Sequence, residues 1–391
     1  MPTPNRLTWE QKAKLVQELA ARRESVAALC LRWRISRECA YKWWRRCREG
    51  GLEALREHSR APRRQRRRMS AMWTRRIGAA RRRHPRWGAR KLRAWLRREH
   101  PRARVPAAST IGAELRRLGC TLGAPRRPRG PEAVWAPTFG ARRANDVWTV
   151  DFKGWFRTGD GARCDPLTVR DLHSRHGLCA RVLKGTEMEP VREQFVRLFR
   201  RHGLPRVIRS DQGPPFAGGS PALLSRLSAW WVSLGIRVEF SRRARPGDNA
   251  SHEQWHRELK AETARPPAAT PRGQQWRLDR WLREYNHERP HEAHGQRVPA
   301  DFYRPSPRRY TGARPAVYPA HWQQRAVRRN GDIDWQGRRR FIGESFGGFR
   351  IGMRLAGKGV WRVYFYEVFL GELHDADGTG LRSARYRRSS Q

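Results

Sequence analysis

Between residues 147 and 260, apolar runs of strand length alternate with amphipathic segments of helix length, and few architectures accept that order. VWTVDFKGWF is a β-rich run, and residues 166–169 and 178–183 read as two more strands. EPVREQFVRLFRRHG follows with helical periodicity, a short strand around Val207 and Ile208 ends at Asp211, and PALLSRLSAWWVSLG is a second helix. Residues 238–240 make another short strand, and the helix carrying Glu253 comes next. Three strands, helix, strand, helix, strand, helix describes an α/β domain with a mixed sheet.

Upstream the pattern is helical. Thr8 with Gln11 forms a capping box opening WEQKAKLVQELAARR, Ser25 caps VAALCLRWR, and Ser36 caps RECAYKWWRRCREG. The third of these helices carries Lys42, Arg45 and Arg46, the logic of a helix-turn-helix whose last helix enters the major groove. Arg63, Arg64, Arg66, Arg67 and Arg68 follow in an extended basic segment suited to phosphates or a minor groove. Helical patterning resumes over 70–119, and the Pro-, Gly- and Arg-rich stretch 121–144 reads as a linker.

Beyond the α/β segment, ARPPAATPRG breaks the chain before another helix in WRLDRWLREYNHERPHEAHG. From about Val317 onward the expectation is all-β, with Asn330-Gly331 as a hairpin signal and GVWRVYFYEVFLGEL as paired strands closing a small barrel. The expected boundaries are a helix-turn-helix domain at 1–58, a basic linker at 59–69 and a second helical DNA-binding domain at 70–120. A linker at 121–144, a catalytic core at 145–263, a linker and helix closing it at 264–310, a small β-barrel at 311–375 and a basic tail at 376–391 complete the chain.

Charge narrows the function. Lys and Arg number 84 against 36 Asp and Glu, a net +48, which calls for a polyanionic partner. A GC-rich coding sequence accounts for Arg in place of Lys but not for so few acids. The six cysteines include no C-x-x-C pair, which argues against a zinc ribbon or a disulfide framework. No stretch approaches 18 apolar residues, so the expected location is cytoplasmic, on the nucleoid, with no membrane partner.

Against that background three acids are candidates for chemistry: Asp151, Asp211 and Glu253. Two aspartates at strand ends and a glutamate on a helix suit two Mg²⁺ (or Mn²⁺) ions about 4 Å apart, which activate the nucleophile and stabilise the leaving oxygen. His252, Glu253 and His256 also spell H-E-x-x-H, a zinc-protease pattern disfavoured by the charge and by the lack of a convincing third ligand.

NDVWTVDFKGWF, the D-L-H-S-R run at 171–175, LPRVIRSDQGPPF, RPGDNASHEQWHRELK and REYNHERPHEAHG together resemble bacterial insertion-sequence transposases of the retroviral-integrase superfamily. The resemblance implies N-terminal helix-turn-helix domains, a central RNase H-like mixed-sheet core and a C-terminal small SH3-like β-barrel. It implies Mg²⁺-dependent DNA 3′-end cleavage and strand transfer through an Asp151–Asp211–Glu253 two-metal site. Asp171 would then be a strand residue and not a ligand. Lys153, Asn249, Arg257 and Lys260 would contact DNA near the scissile bond, and Arg338, Arg339 and Arg340 would add backbone contacts. The implied partners are double-stranded DNA, as element terminal repeats and target, and further copies of the chain assembled on it. Gln212 and Ala250 replace residues usual in the family. The alternatives are a decayed transposase acting only as a DNA-binding protein, or a metal-dependent DNA nuclease.

Overall fold

The computed structural model describes residues 7–57, 69–121, 140–241, 250–378 and 380–384. Arg63, Arg64, Arg66, Arg67, Arg68 and Asn249, most of the 121–144 linker and the end of the basic tail lie outside them. The chain divides into two units, Met1–Ser70 and Ala71–Gln391.

In the first unit, α1 (Trp9–Ala21), α2 (Val26–Arg32) and α3 (Arg37–Gly50) begin at Thr8, Ser25 and Ser36, each hydroxyl accepting from a backbone N–H in the first turn. Gln11 Oε1 in turn accepts from the Thr8 backbone N–H, closing the capping box. Leu15, Leu19, Leu29, Cys30 and Ala40 form the core, while Lys42 and Arg45 stay exposed on α3.

The second unit opens with α4 (Ala71–Arg83), α5 (Ala89–Glu99) and α6 (Ala108–Arg117), closed over Trp73, Ile77, Leu92, Leu96 and Ile111. The α/β segment follows: β1 (Val147–Phe152), β2 (Phe156–Arg157), β3 (Arg163–Asp171), β4 (Gly177–Leu183), α7 (Met188–His202), β5 (Val207–Ser210), α8 (Arg226–Ser233), β6 (Arg237–Phe240), α9 (Ala250–Thr263) and α10 (Pro271–His287). The sheet runs β2-β3-β1-β5-β6, with β4 also on β3. β1 is antiparallel to β3 and parallel to β5, so the sheet is mixed. Val150, Leu167, Val169, Phe195, Phe199 and Trp231 are buried between it and its helices, and α9 with α10 covers part of β4 through Trp255, Leu259, Leu278 and Trp281.

The C-terminal segment holds β7 (Gln323–Ala326), β8 (Asp332–Trp335), β9 (Arg338–Phe341), β10 (Arg350–Gly357), β11 (Val360–Phe365), β12 (Val368–His374) and β13 (Arg382–Ser383). It is not the expected barrel. The strands form an open five-stranded sheet, β13-β12-β11-β10-β7, and a separate β8-β9 ribbon. A closed barrel buries its apolar face inside itself; here Ile351, Met353, Val363, Phe365 and Leu370 share one core with Leu224, Ala229, Val232 and Phe240 of the α/β segment. Asn330-Gly331 does not join two paired strands either. Gly331 has φ +90°, and a Cβ there would stand 2.6 Å from the Gly343 carbonyl carbon, so close backbone approach accounts for the glycine.

Candidate metal centre

The site is built on the face of the sheet that α9 covers. Thr149 and Asp151 are two apart on β1 and share that face, and the antiparallel register sets Thr168 of β3 opposite Asp151. The parallel register of β1 with β5 pairs Thr149 with Arg209, so two residues further it brings Asp151 level with Asp211, just past the end of β5. On α9, His252 and His256 are one turn apart and both buried, not on the helix surface, while Glu253 between them is exposed.

Two threonine hydroxyls hold the histidine pair. The Thr168 hydroxyl donates to the Asp151 carbonyl, 2.8 Å away. His252 Nε2 (2.8 Å) and His256 Nε2 (2.7 Å) lie within hydrogen-bond distance of the same hydroxyl oxygen. His252 Nδ1 lies 2.8 Å from the Thr149 hydroxyl, which also reaches the Arg170 carbonyl at 3.4 Å. His256 Nδ1 faces Asp151 Oδ2 at 3.7 Å. A ring nitrogen and a carboxylate oxygen turned toward each other at this distance suit a bound cation.

Electrostatics point the same way. Burial, followed by the charges of Lys153 and Arg170, pushes the His256 pKa down to about 3, so the ring is neutral and ligand-ready. Burial also holds His252 well below the ordinary histidine range. Asp151 is pushed up to about 7, first by burial and then by the negative charge of Asp211, with Glu253 adding to it and Lys153 opposing it. Burial raises Asp211 too, against the Gly213 backbone N–H that favours its ionised form. A carboxyl whose pKa is raised by burial and by neighbouring acids is one whose charge a divalent ion would stabilise.

The expected Asp-Asp-Glu cluster is therefore corrected. Among the described residues, the group whose ligand atoms all lie within 4.8 Å of one another is Asp151, His252 and His256. Of these, His252 has both ring nitrogens engaged by Thr168 and Thr149, so Asp151 Oδ2 and His256 Nδ1 are the atoms left to hold an ion. Asp211 and Glu253 act on Asp151 through their charge but fall outside that group. The H-E-x-x-H spacing contained the signal for the histidine pair; Thr149 and Thr168, which fix the rings, left no mark in the linear pattern.

The remaining candidates take various places. Asp171 accepts from the Asn145 N–H (2.7 Å) and the Ser174 N–H (2.8 Å), closing a turn. Asp165 pairs with Arg163 at 2.7 Å. Gln212 donates from Nε2 to the Ser241 carbonyl (3.0 Å), tying the ends of β5 and β6 together. Lys153 is half-buried, and Arg257, Lys260, Arg338 and Arg339 are exposed. Arg340 is buried and donates to the His374 carbonyl at 2.7 Å, which removes it from any surface contact. Arg46 is half-buried, with Nη2 at 3.3 Å from the Arg56 carbonyl.

Comparisons with known proteins agree with this organisation. A helix-turn-helix domain family matches residues 11–64 and a homeodomain-like domain family residues 39–115. Two integrase core domain families match residues 141–246 and 234–299. The uncharacterized 31.7 kDa protein of insertion element IS407 of Burkholderia multivorans is 25% identical over 218 residues, 56% of this chain and 75% of that protein. The uncharacterized 39.2 kDa protein of insertion element IS476 of Xanthomonas euvesicatoria is 27% identical over 222 residues, 56% of this chain and 61% of that protein. Among solved structures, the HTLV-2 integrase catalytic core domain in complex with magnesium is 13% identical with a TM-score of 0.33, covering 42% of this chain and 99% of its own. The BIV integrase catalytic core domain is 20% identical with a TM-score of 0.32, covering 41% and 93%. Among the described residues, no helix is long and apolar enough to cross a membrane.

Proposed function

From the premise that this chain belongs to the superfamily of bacterial insertion-sequence transposases and retroviral integrases, we propose that it is a metal-dependent DNA nuclease. The observation that carries the reading is the facing pair of atoms, Asp151 Oδ2 and His256 Nδ1, 3.7 Å apart. These two atoms would hold a divalent ion, whose positive charge would supply activation of a water and stabilisation of the leaving oxygen. A carboxylate with an imidazole favours Mn²⁺ over Mg²⁺, because the nitrogen ligand is softer than the oxygens that Mg²⁺ prefers.

The chain's own residues do the rest. Thr168 holds the His256 ring through Nε2, with Nδ1 toward Asp151. Asp211 and Glu253 enter as the acidic field that a cation relieves. Lys153, Arg257 and Lys260 would contact phosphates beside the site. Lys42, Arg45 and Arg46 would engage the major groove, the 59–69 segment and the helices of 70–120 would add backbone contacts, and Arg338 and Arg339 would extend them. Several copies would assemble on one DNA. Incubation of the full chain with labelled duplex and Mn²⁺ should cut the DNA, and Asp151→Asn should abolish cutting while leaving DNA binding within about twofold. Cutting that survives Asp151→Asn would sink the assignment.

A second reading, a DNA-binding protein without catalysis, is favoured by one observation: both nitrogens of His252 are satisfied inside the protein. Duplex binding with no Mn²⁺- or Mg²⁺-dependent cutting would select it.

A further inference from the structure

A cleft of about 570 Å³ lies between the α4–α5 connection and the α9–α10 region, and the candidate metal centre does not use it. Its lining includes Arg86, Arg265, Trp276, Arg277 and Arg280. Trp276 is 59% exposed, unusual for the largest apolar side chain, and the Arg280 guanidinium lies 5.7 Å from its ring centroid. Arg86, Arg265 and Arg280 are exposed as well. The acids of the cleft are turned to buried partners. Glu262 accepts from Trp281 Nε1 (2.7 Å) and from Arg289 Nη1 (3.0 Å), and Glu284 bonds the buried His84 at Nδ1 (2.8 Å). What the cleft shows to solvent is therefore an indole among guanidinium groups.

Arg265, in the cleft lining, lies just beyond the end of α9, the helix that carries His252 and His256.

We infer that this cleft binds an unpaired strand of DNA, with a base stacked on Trp276 and phosphates on Arg86, Arg265 and Arg280. Every base offers a π-face, but a duplex hides those faces inside its own stack, so an exposed indole among arginines selects a single strand. The volume is that of a pocket for a small ligand, room for about one or two nucleotides. The inference deepens the nuclease reading by naming a frayed or single-stranded DNA end as what leads to the metal centre.

The test is anisotropy of a labelled 20-nucleotide single strand, and of the matching duplex, on the full chain in EDTA. Trp276→Ala should weaken single-strand binding about 5- to 100-fold and leave duplex binding within about twofold, and Trp276→Phe should restore most of the loss. Because Trp276 is exposed, unchanged thermal unfolding serves as the folding control. Unchanged single-strand affinity in Trp276→Ala overturns the inference, as does an RNA of the same sequence binding tenfold tighter than the DNA. Loss of strand affinity in a protein that never cuts DNA keeps the cleft and sinks the nuclease. A protein that cuts while Trp276→Ala binds normally keeps the nuclease and sinks the cleft.

Discussion

His252 Nε2 and His256 Nε2 both lie within hydrogen-bond distance of the Thr168 hydroxyl oxygen, so two imidazoles one helical turn apart are held by a single atom of the facing sheet. Their ring centroids are 4.6 Å apart at 88°, an edge-to-face pair that leaves one nitrogen, His256 Nδ1, open toward Asp151.

Thr168→Val should expose the cost of that arrangement. The substitution keeps shape but leaves two buried imidazole nitrogens without their partner, for a loss of about 2–4 kcal/mol in the stability of the second unit. Urea unfolding followed by tryptophan fluorescence measures it. A midpoint equal to that of the wild type would mean that the histidines find other partners.

Divalent-ion stabilisation should grow with pH. Asp151 has a folded pKa raised to about 7 from 3.8, so in the metal-free protein its contribution to stability is full below about 3.8 and is lost as pH rises toward 7. Above that window the carboxylate is charged and unpaired, and an ion restores what was lost. Mn²⁺ at a hundred times its dissociation constant adds about 2.7 kcal/mol, and the melting-temperature gain should be larger at pH 8 than at pH 6 and vanish in Asp151→Asn. A gain independent of pH would place the ion elsewhere.

Acid should unfold the second unit through a pair of buried histidines. Burial, with neighbouring positive charge, lowers His176 to about 3 and His202 to about 4, and both pack on Tyr303, at 4.4 and 5.6 Å between centroids. Their folded values lie below the ordinary 6.5, so the unfolded chain takes up protons first. Their stabilising effect is complete above pH 6.5 and declines as pH falls toward 4 and 3. His202→Gln should flatten the fall in urea midpoint between pH 6.5 and 4.5; an unaltered slope would assign the acid sensitivity to other groups.

Gly177→Ala should disturb the site from a distance. A Cβ there would collide with Leu282 Cδ1 and come within 2.9 Å of Trp255 Cζ2, between the two histidines on α9. Overpacking of this kind costs about 1–3 kcal/mol, and because α9 has to move, Mn²⁺ affinity should fall together with stability. Calorimetric titration that finds unchanged Mn²⁺ affinity would uncouple α9 from the α10–β4 layer.

The linear chain by itself determined the local choices. Hydroxyl caps at Thr8, Ser25 and Ser36, the change from helical to strand periodicity near Val147, and the excess of arginine are properties of near neighbours and of composition, so the helical N-terminal region, the mixed sheet and a DNA partner could be read directly. Tertiary structure decided which side chains meet. Thr149 and Thr168 face His252 and His256 only because two antiparallel strands and a distant helix stack in one register. That placed His256 Nδ1 3.7 Å from Asp151 Oδ2 and left Asp211 and Glu253 outside the cluster. The open C-terminal sheet has the same origin: alternating residues specify strands, but whether a sheet closes depends on what covers its apolar face, and here the α/β segment does.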